Sequence, residues 1–168
     1  MIYLSIDVGL KNLGYIIYDS DSDKILRWGI INICNDNANT VNLIDVGKNI
    51  CDMFIKQVDI FDIGKVIIEN QQGINAIRMK SVQMMITMYF IKNNIDVCHW
   101  SSSNKLKKYN LPKKTTYVQR KKESIRITKE EIINQYPEWE THFSKHPKKD
   151  DLADAFLQLI SYLECDKI

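Results

Sequence analysis

The chain has 168 residues, 45% hydrophobic and 26% charged, with three prolines and six glycines, enough for one domain with a sizeable core and too little Gly and Pro for long linkers. Cys34, Cys51, Cys98 and Cys165 form no CxxC pair, which argues against a disulfide framework or a structural zinc site and points to reduced thiols in a cytosol-like compartment. The net charge is +2, yet residues 105–149 hold 13 Lys or Arg against five Glu, and residues 105–122 hold eight basic residues and no acidic one, a pattern that suits either a docked polyanion or a solvated lysine-rich loop.

Residues 2–6 alternate and end on Asp7, as a strand does. There is no basic-then-apolar leader at this end, so a cytoplasmic rather than secreted protein is expected. Glycines at 9 and 14 bracket a turn, and residues 15–18 read as a second strand. An Asp-rich cluster at 19–23 forms a turn before a β-branched and aromatic third strand over 25–34. The opening therefore predicts a three-stranded antiparallel meander.

The period then changes. Leu43, Val46, Ile50 and Phe54 recur at helical spacing, predicting a helix over 41–57. Residues 65–69 form a short apolar run ending on Glu69, read as a buried strand. A helix over 75–92 follows, then a fifth strand over 95–100, a basic loop over 101–118, a helix over 119–135, a connection over 137–149 and a last helix over 150–163. Strands alternating with helices after an antiparallel start predict an α/β protein with a mixed five-stranded sheet flanked by helices. One domain over 1–168 is expected, and no apolar run approaches the ~20 residues that cross a bilayer.

The helix over 75–92 has two apolar stripes. Val82, Met85, Ile86 and Tyr89 form one; Ile77, Met84, Met88 and Ile91 form the other. One stripe suffices to face a core. The second is either buried within the monomer or a dimer interface, for which methionine is suited.

Two carboxylates, Asp7 and Glu69, close apolar strands, where a charge is costly unless compensated. The last helix begins Asp150-Asp151-Leu152-Ala153-Asp154; Asp154 shares a face with Asp151 or Asp150, and Leu152, Phe156, Leu159 and Leu163 should anchor the opposite side. Asp150 and Asp151 also fit simple helix capping. Carboxylates packed together raise one another's pKa, a penalty that divalent cations remove. An all-oxygen donor set suits Mg²⁺ or Mn²⁺ rather than zinc, and His99, His142 and His146 lack zinc-site spacing.

These residues resemble a known family. The run IDVGLKNLGYIIYD (6–19) resembles the first motif of RuvC-like Holliday-junction resolvases, VIIENQ (66–71) their second acidic strand, and KKDDLADAF (148–156) their C-terminal acidic helix. The likeness extends to the poxvirus-type members, in which a basic segment similar to YVQRKKESI (117–125) is also found. The resemblance implies an RNase H-like fold and a viral homodimer that nicks opposing strands of a four-way DNA junction, with no small-molecule substrate. It implies that Asp7, Glu69, Asp151 and Asp154 hold two Mg²⁺ ions, with Mn²⁺ as a substitute and Asp150 an alternative to Asp151. Asp7 would bridge the ions, Glu69 would serve the leaving 3′ oxygen, and Asp151 and Asp154 the attacking water. Lys122 would stand at the scissile phosphate, with Lys121 adjacent and Lys105 a lesser candidate. The additional DNA-binding module of fungal mitochondrial relatives has no counterpart here.

Lys105, Lys107, Lys108, Lys113, Lys114, Arg120, Lys121 and Lys122 are the expected phosphate contacts. Tyr109 and Tyr117 either stack on bases at the branch point or pack the loop. Other readings are an RNA–DNA hybrid or generic branched-DNA nuclease, a junction-binding protein without activity, and an actin-like nucleotide-binding domain, for which the chain is short.

Overall fold

The computed structural model describes residues 1–73, 76–109 and 115–166. Strands β1 (Ile2–Val8), β2 (Asn12–Asp19) and β3 (Lys24–Asn32) form the expected antiparallel meander. Strands β4 (Ile63–Glu69) and β5 (Asp96–Trp100) add in parallel beyond β1, giving the order β3-β2-β1-β4-β5. The mixed five-stranded sheet matches the sequence reading. Gly14 lies inside β2 rather than closing the turn.

Strand alternation divides the interior in two. Leu4, Ile6 and Val8 of β1, with Val66 and Ile68 of β4, face helices α1 (Leu43–Asn49) and α3 (Ile77–Lys92). Tyr3 and Ile67 face the other way, toward α4 (Tyr117–Gln135), α5 (Glu140–Lys145) and α6 (Lys149–Asp166). The odd-numbered residues of β1, Asp7 among them, therefore belong to the α6 side.

The predicted helix over 41–57 is α1, a π-helical turn (Ile50–Ile55) and a short α2 (Lys56–Val58). Its buried residues Val46, Ile50, Phe54 and Val58 are spaced by four. On an α-helix each such step overshoots a full turn by about 40°, and one wider turn returns the stripe to the core. The connection over 137–149 contains a 3₁₀ turn (Pro137–Trp139) and α5. Only Phe143 of α5 is buried, stacked on Trp28 at 5.4 Å, so this helix carries no apolar period. The start of the predicted helix at residue 75 lies outside the described residues. Along α3, Val82 and Ile86 are buried while Ile77, Met84, Met88 and Ile91 are exposed; the chain does not bury the second stripe itself.

Helix α6 is buried almost all round, because the sheet lies on one side and α4 on the other. Leu152, Phe156 and Leu159 anchor it as predicted, and the Trp28 Nε1–H donates to the Leu152 carbonyl at 3.1 Å, fixing its first turn. That turn presses on β2 at Gly14. A Cβ there would lie 2.7 Å from the Asp151 backbone oxygen and 3.5 Å from the Asp7 Cβ. Hydrogen is thus the only side chain that lets the acidic turn sit beside Asp7. Gly14→Ala is expected to destabilise the protein by about 1–3 kcal/mol through overpacking, measured by chemical denaturation; a variant as stable as the parent would contradict this close approach.

Candidate active site

Strands β1 and β4 run parallel, with Ile6 paired to Ile68, so the next residues, Asp7 and Glu69, emerge side by side at the same carboxyl-terminal edge of the sheet. Ligand sites of parallel sheets form at this edge. Helix α6 brings Asp154 to the same place. Between them lies the ammonium of Lys105, with Nζ 3.1 Å from Glu69 Oε1, 3.2 Å from Asp7 Oδ1 and 3.9 Å from Asp154 Oδ1. Lys105 is only 6% exposed. It arrives from β5 through a 3₁₀ turn (Ser102–Asn104), capped by the Ser101 side chain, which ends at Lys105. A second 3₁₀ turn (Lys107–Tyr109) follows.

Three carboxylates around one ammonium leave excess negative charge, and the groups respond accordingly. Burial, reinforced by Asp7 and opposed by Lys105, pushes the Glu69 carboxyl up to about 7. Burial also dominates at Asp154, which rises to about 6 against the pull of Lys105. Burial works against charge on Lys105, but Asp7, Asp154 and Glu69 outweigh it and hold the ammonium charged above the usual lysine range. Gln71 supports the cluster from behind. Its Nε2 donates to Glu69 Oε2 at 2.8 Å, and its backbone N–H donates to Gln83 of α3 at 3.0 Å.

The paired aspartates divide. Asp150 accepts from Lys121 Nζ at 2.5 Å, and this bond overcomes burial to lower its pKa. Burial, then repulsion from Asp150 and Asp7, raises that of Asp151. Asp151 thus joins Asp7 electrostatically, while Asp150 is committed to α4.

These groups line one cleft of about 1020 Å³ that also receives Tyr117, Arg120, Lys121 and Ser124 from α4. Those four positions share one helical face. Lys122 falls off that face and is exposed. Lys122, expected nearest the reacting group, is thus not among the residues that line the cleft, whereas Lys105 and Lys121 are. Among the expected phosphate contacts, Lys105 is buried against carboxylates, Lys107 is exposed, and Lys108 pairs with Glu164 and Glu131. Arg120 and Lys121 line the cleft, and Lys113 and Lys114 lie outside the described residues. Tyr109 packs the loop, its hydroxyl donating to Glu131 at 2.9 Å. Tyr117 is exposed, with Lys121 Nζ 5.2 Å from its ring centre.

Among the described residues, no three carboxylate, imidazole or thiol groups already stand at coordination spacing around one point. Asp7 and Glu69 instead accept hydrogen bonds from the Lys105 ammonium, at 3.2 and 3.1 Å. The donors nonetheless fit a hard divalent ion. All are carboxylate oxygens, their charge is under-compensated, and a cation already sits among them.

The sheet and the helices that cover it have the RNase H-like fold of RuvC. The structure superposes on Thermus thermophilus RuvC with a TM-score of 0.66 over 99% of this chain and 97% of that one, at 11% identity. On the fowlpox virus resolvase, crystallised with substrate Holliday junction DNA, the TM-score is 0.71 over 98% of both chains, at 24% identity. The chain belongs to the poxvirus A22 protein family, whose model matches residues 1–166. It is 28% identical over 170 aligned positions to the Holliday junction resolvase of fowlpox virus, covering 98% of this chain and 93% of that protein. An uncharacterized protein of Acanthamoeba polyphaga mimivirus is 34% identical over 133 residues, covering 67% of this chain. The alignment spans about a third of that relative's length, 32%.

The family resemblance favoured Lys122 over Lys105, and linear spacing does not reveal which of the basic residues in 105–122 turns inward. Gln71 carried a usable signal: it is two residues beyond Glu69, on the same face of an extended chain. Gly14 carried none, since its role depends on a helix more than 130 residues away.

Two outcomes test the electrostatics. Glu69 and Asp154 bind protons more tightly in the folded protein than at their ordinary values of 4.5 and 3.8. Their contribution to stability is thus present at low pH and lost as pH rises through the window from about 4 to 7. In chelator, Tm should fall across that window, and Glu69→Gln should flatten the fall; a Tm that rises with pH and ignores the substitution would refute the assignment. Lys105→Met removes an ammonium in contact with three carboxylates. It should cost about 3–5 kcal/mol at pH 8 and less at pH 5, as read by urea denaturation; equal loss at both pH values would show that packing, not charge, was removed.

Proposed function

We propose that this chain is a divalent-metal-dependent endonuclease that resolves four-way DNA junctions by paired, symmetric nicks. The observation that carries this reading is the meeting of Asp7, Glu69 and Asp154, from β1, β4 and α6, on one buried lysine at the base of a cleft with a cationic wall. The fowlpox virus relative bears the name Holliday junction resolvase, which supports the choice of substrate.

Asp7, Glu69, Asp151 and Asp154 are the residues to hold Mg²⁺, two ions per site, with Mn²⁺ as a substitute. Bound there, the metal would lower the pKa of an attacking water and stabilise charge on the leaving oxygen, giving a 5′-phosphate and a 3′-hydroxyl. The protein's own part is to concentrate negative charge at that edge. Glu69 gives up its proton near pH 7, so the site becomes fully anionic toward mildly alkaline pH, and cation affinity rises with it. Lys105 and Lys121, both in the cleft, would meet the scissile phosphate, in the role that the family resemblance implied for Lys122. Arg120 and Lys107 reach flanking phosphates, which position DNA without reading its sequence.

Two copies meeting across the exposed Ile77, Met84, Met88 and Ile91 face of α3 would present two clefts to a substrate of matching twofold symmetry. No described helix is long and apolar enough to cross a membrane, and the four cysteines are unpaired. These features fit viral DNA processing in the host cytoplasm.

The test is incubation of the purified protein with a synthetic four-way junction, a replication fork, an RNA–DNA hybrid and a linear duplex, with Mg²⁺ or chelator. Symmetric nicks confined to the junction are expected. Asp7→Asn should keep junction binding and lose cleavage by more than about a hundredfold, beyond what loss of a mere supporting partner costs. Hybrid cleavage would favour another nuclease of this fold, and binding without nicking a passive junction-binding protein.

A further inference from the structure

Gln158 lies one turn beyond Asp154 on α6 and is fully buried beneath the sheet. Its Nε2 is 3.0 Å from the Ile6 carbonyl oxygen, 3.2 Å from that of Ile67 and 3.1 Å from the Ser5 hydroxyl. The Ser5 hydroxyl in turn donates to the Ala155 carbonyl at 2.9 Å. Ile6 immediately precedes Asp7 on β1. Ile67 stands two residues before Glu69 on β4. Ala155 immediately follows Asp154 on α6. One amide therefore ties together the three elements that supply the carboxylates, within a residue or two of each.

Stability alone is a poor reason for glutamine at this position. Among the described residues its Oε1 is buried without a hydrogen-bond partner, and an unpaired buried acceptor disfavours folding. A methionine of similar length would fill the space without that cost. What only the amide supplies is direction. Strand carbonyls keep a second lone pair after their ladder bond. An NH₂ group that donates to two of them fixes both how far α6 stands along the strands and how it is rotated.

We propose that Gln158 is a positioning residue of the metal site, setting the reach of Asp154 and Asp151 toward Asp7 and Glu69. This rests on the metal-dependent reading of the cleft. Gln158 touches no reacting atom; it acts by holding the helix in register with the strand ends, as supporting partners of metal ligands do.

The test compares wild type and Gln158→Met by calorimetric titration with Mn²⁺ alone, by binding of a labelled four-way junction in chelator, and by cleavage kinetics. Gln158→Met should weaken Mn²⁺ binding about tenfold and lower kcat, with junction Kd within about twofold of wild type. Ile86→Val, a truncation on the opposite face of the sheet, supplies the stability control and should leave the Mn²⁺ affinity unchanged at the same distance below Tm. If Gln158→Met does not fold, Ser5→Ala carries the test: it removes one partner of the bracket and should weaken Mn²⁺ binding about threefold. Wild-type Mn²⁺ affinity in the variant tested overturns the positioning role alone. A wild-type protein that neither binds Mn²⁺ nor nicks junctions overturns the endonuclease reading and this inference with it.

Discussion

Mutual repulsion among acidic side chains at one edge of a buried sheet is the constraint around which this molecule is organised. Asp7, Glu69 and Asp154 come from three separate elements and share one ammonium, that of Lys105. In water such groups would separate. Here hydrophobic packing on both faces of the sheet holds them together, and burial sharpens the repulsion by removing solvent. Burial first, and repulsion from Asp7 after it, raise the proton affinities of Glu69 and Asp154.

The tension needs a scaffold that does not yield. Parallel pairing of β1 and β4 puts two carboxylates at one edge, and the small residues Ser5 and Gly14 on the α6 side of the sheet let the third element approach closely. Trp28 and Gln158 tie α6 to the sheet through backbone carbonyls, contacts that fix a helix more sharply than apolar packing. The opposite face, built from Leu4, Ile6, Val66 and Ile68 against α1 and α3, is apolar and adds non-directional stability to that of the apolar core on the α6 side. The carboxylates are thereby confined to one side of a sheet that is packed on both, and strand alternation assigns each strand residue to its side.

The basic segment illustrates the limit of composition as a guide. Eight cations in residues 105–122 read as one patch, yet the described ones have different fates. Lys105 turns inward and becomes the counter-charge of the site. Lys121 binds Asp150 and overhangs Tyr117, and Lys108 is taken up by Glu131 and Glu164. Arg120 faces the cleft, while Lys122, one residue beyond Lys121, does not line it. A rotation of 100° per residue along α4 makes that distinction, and the count of charges is blind to it.

Period-two alternation, helical spacing and carboxylates closing apolar runs were sufficient to lay out the mixed sheet and to nominate Asp7, Glu69 and the aspartates of the last helix, because these patterns are local and recur within a few residues. Folding was needed to choose Asp151 over Asp150 as Asp7's electrostatic neighbour, to bring Lys105 among the carboxylates, and to give Gly14 and Gln158 their purpose. Each of those outcomes depends on a contact between elements far apart in the chain, and the distances that decide it exist only once the two faces of the sheet have been covered.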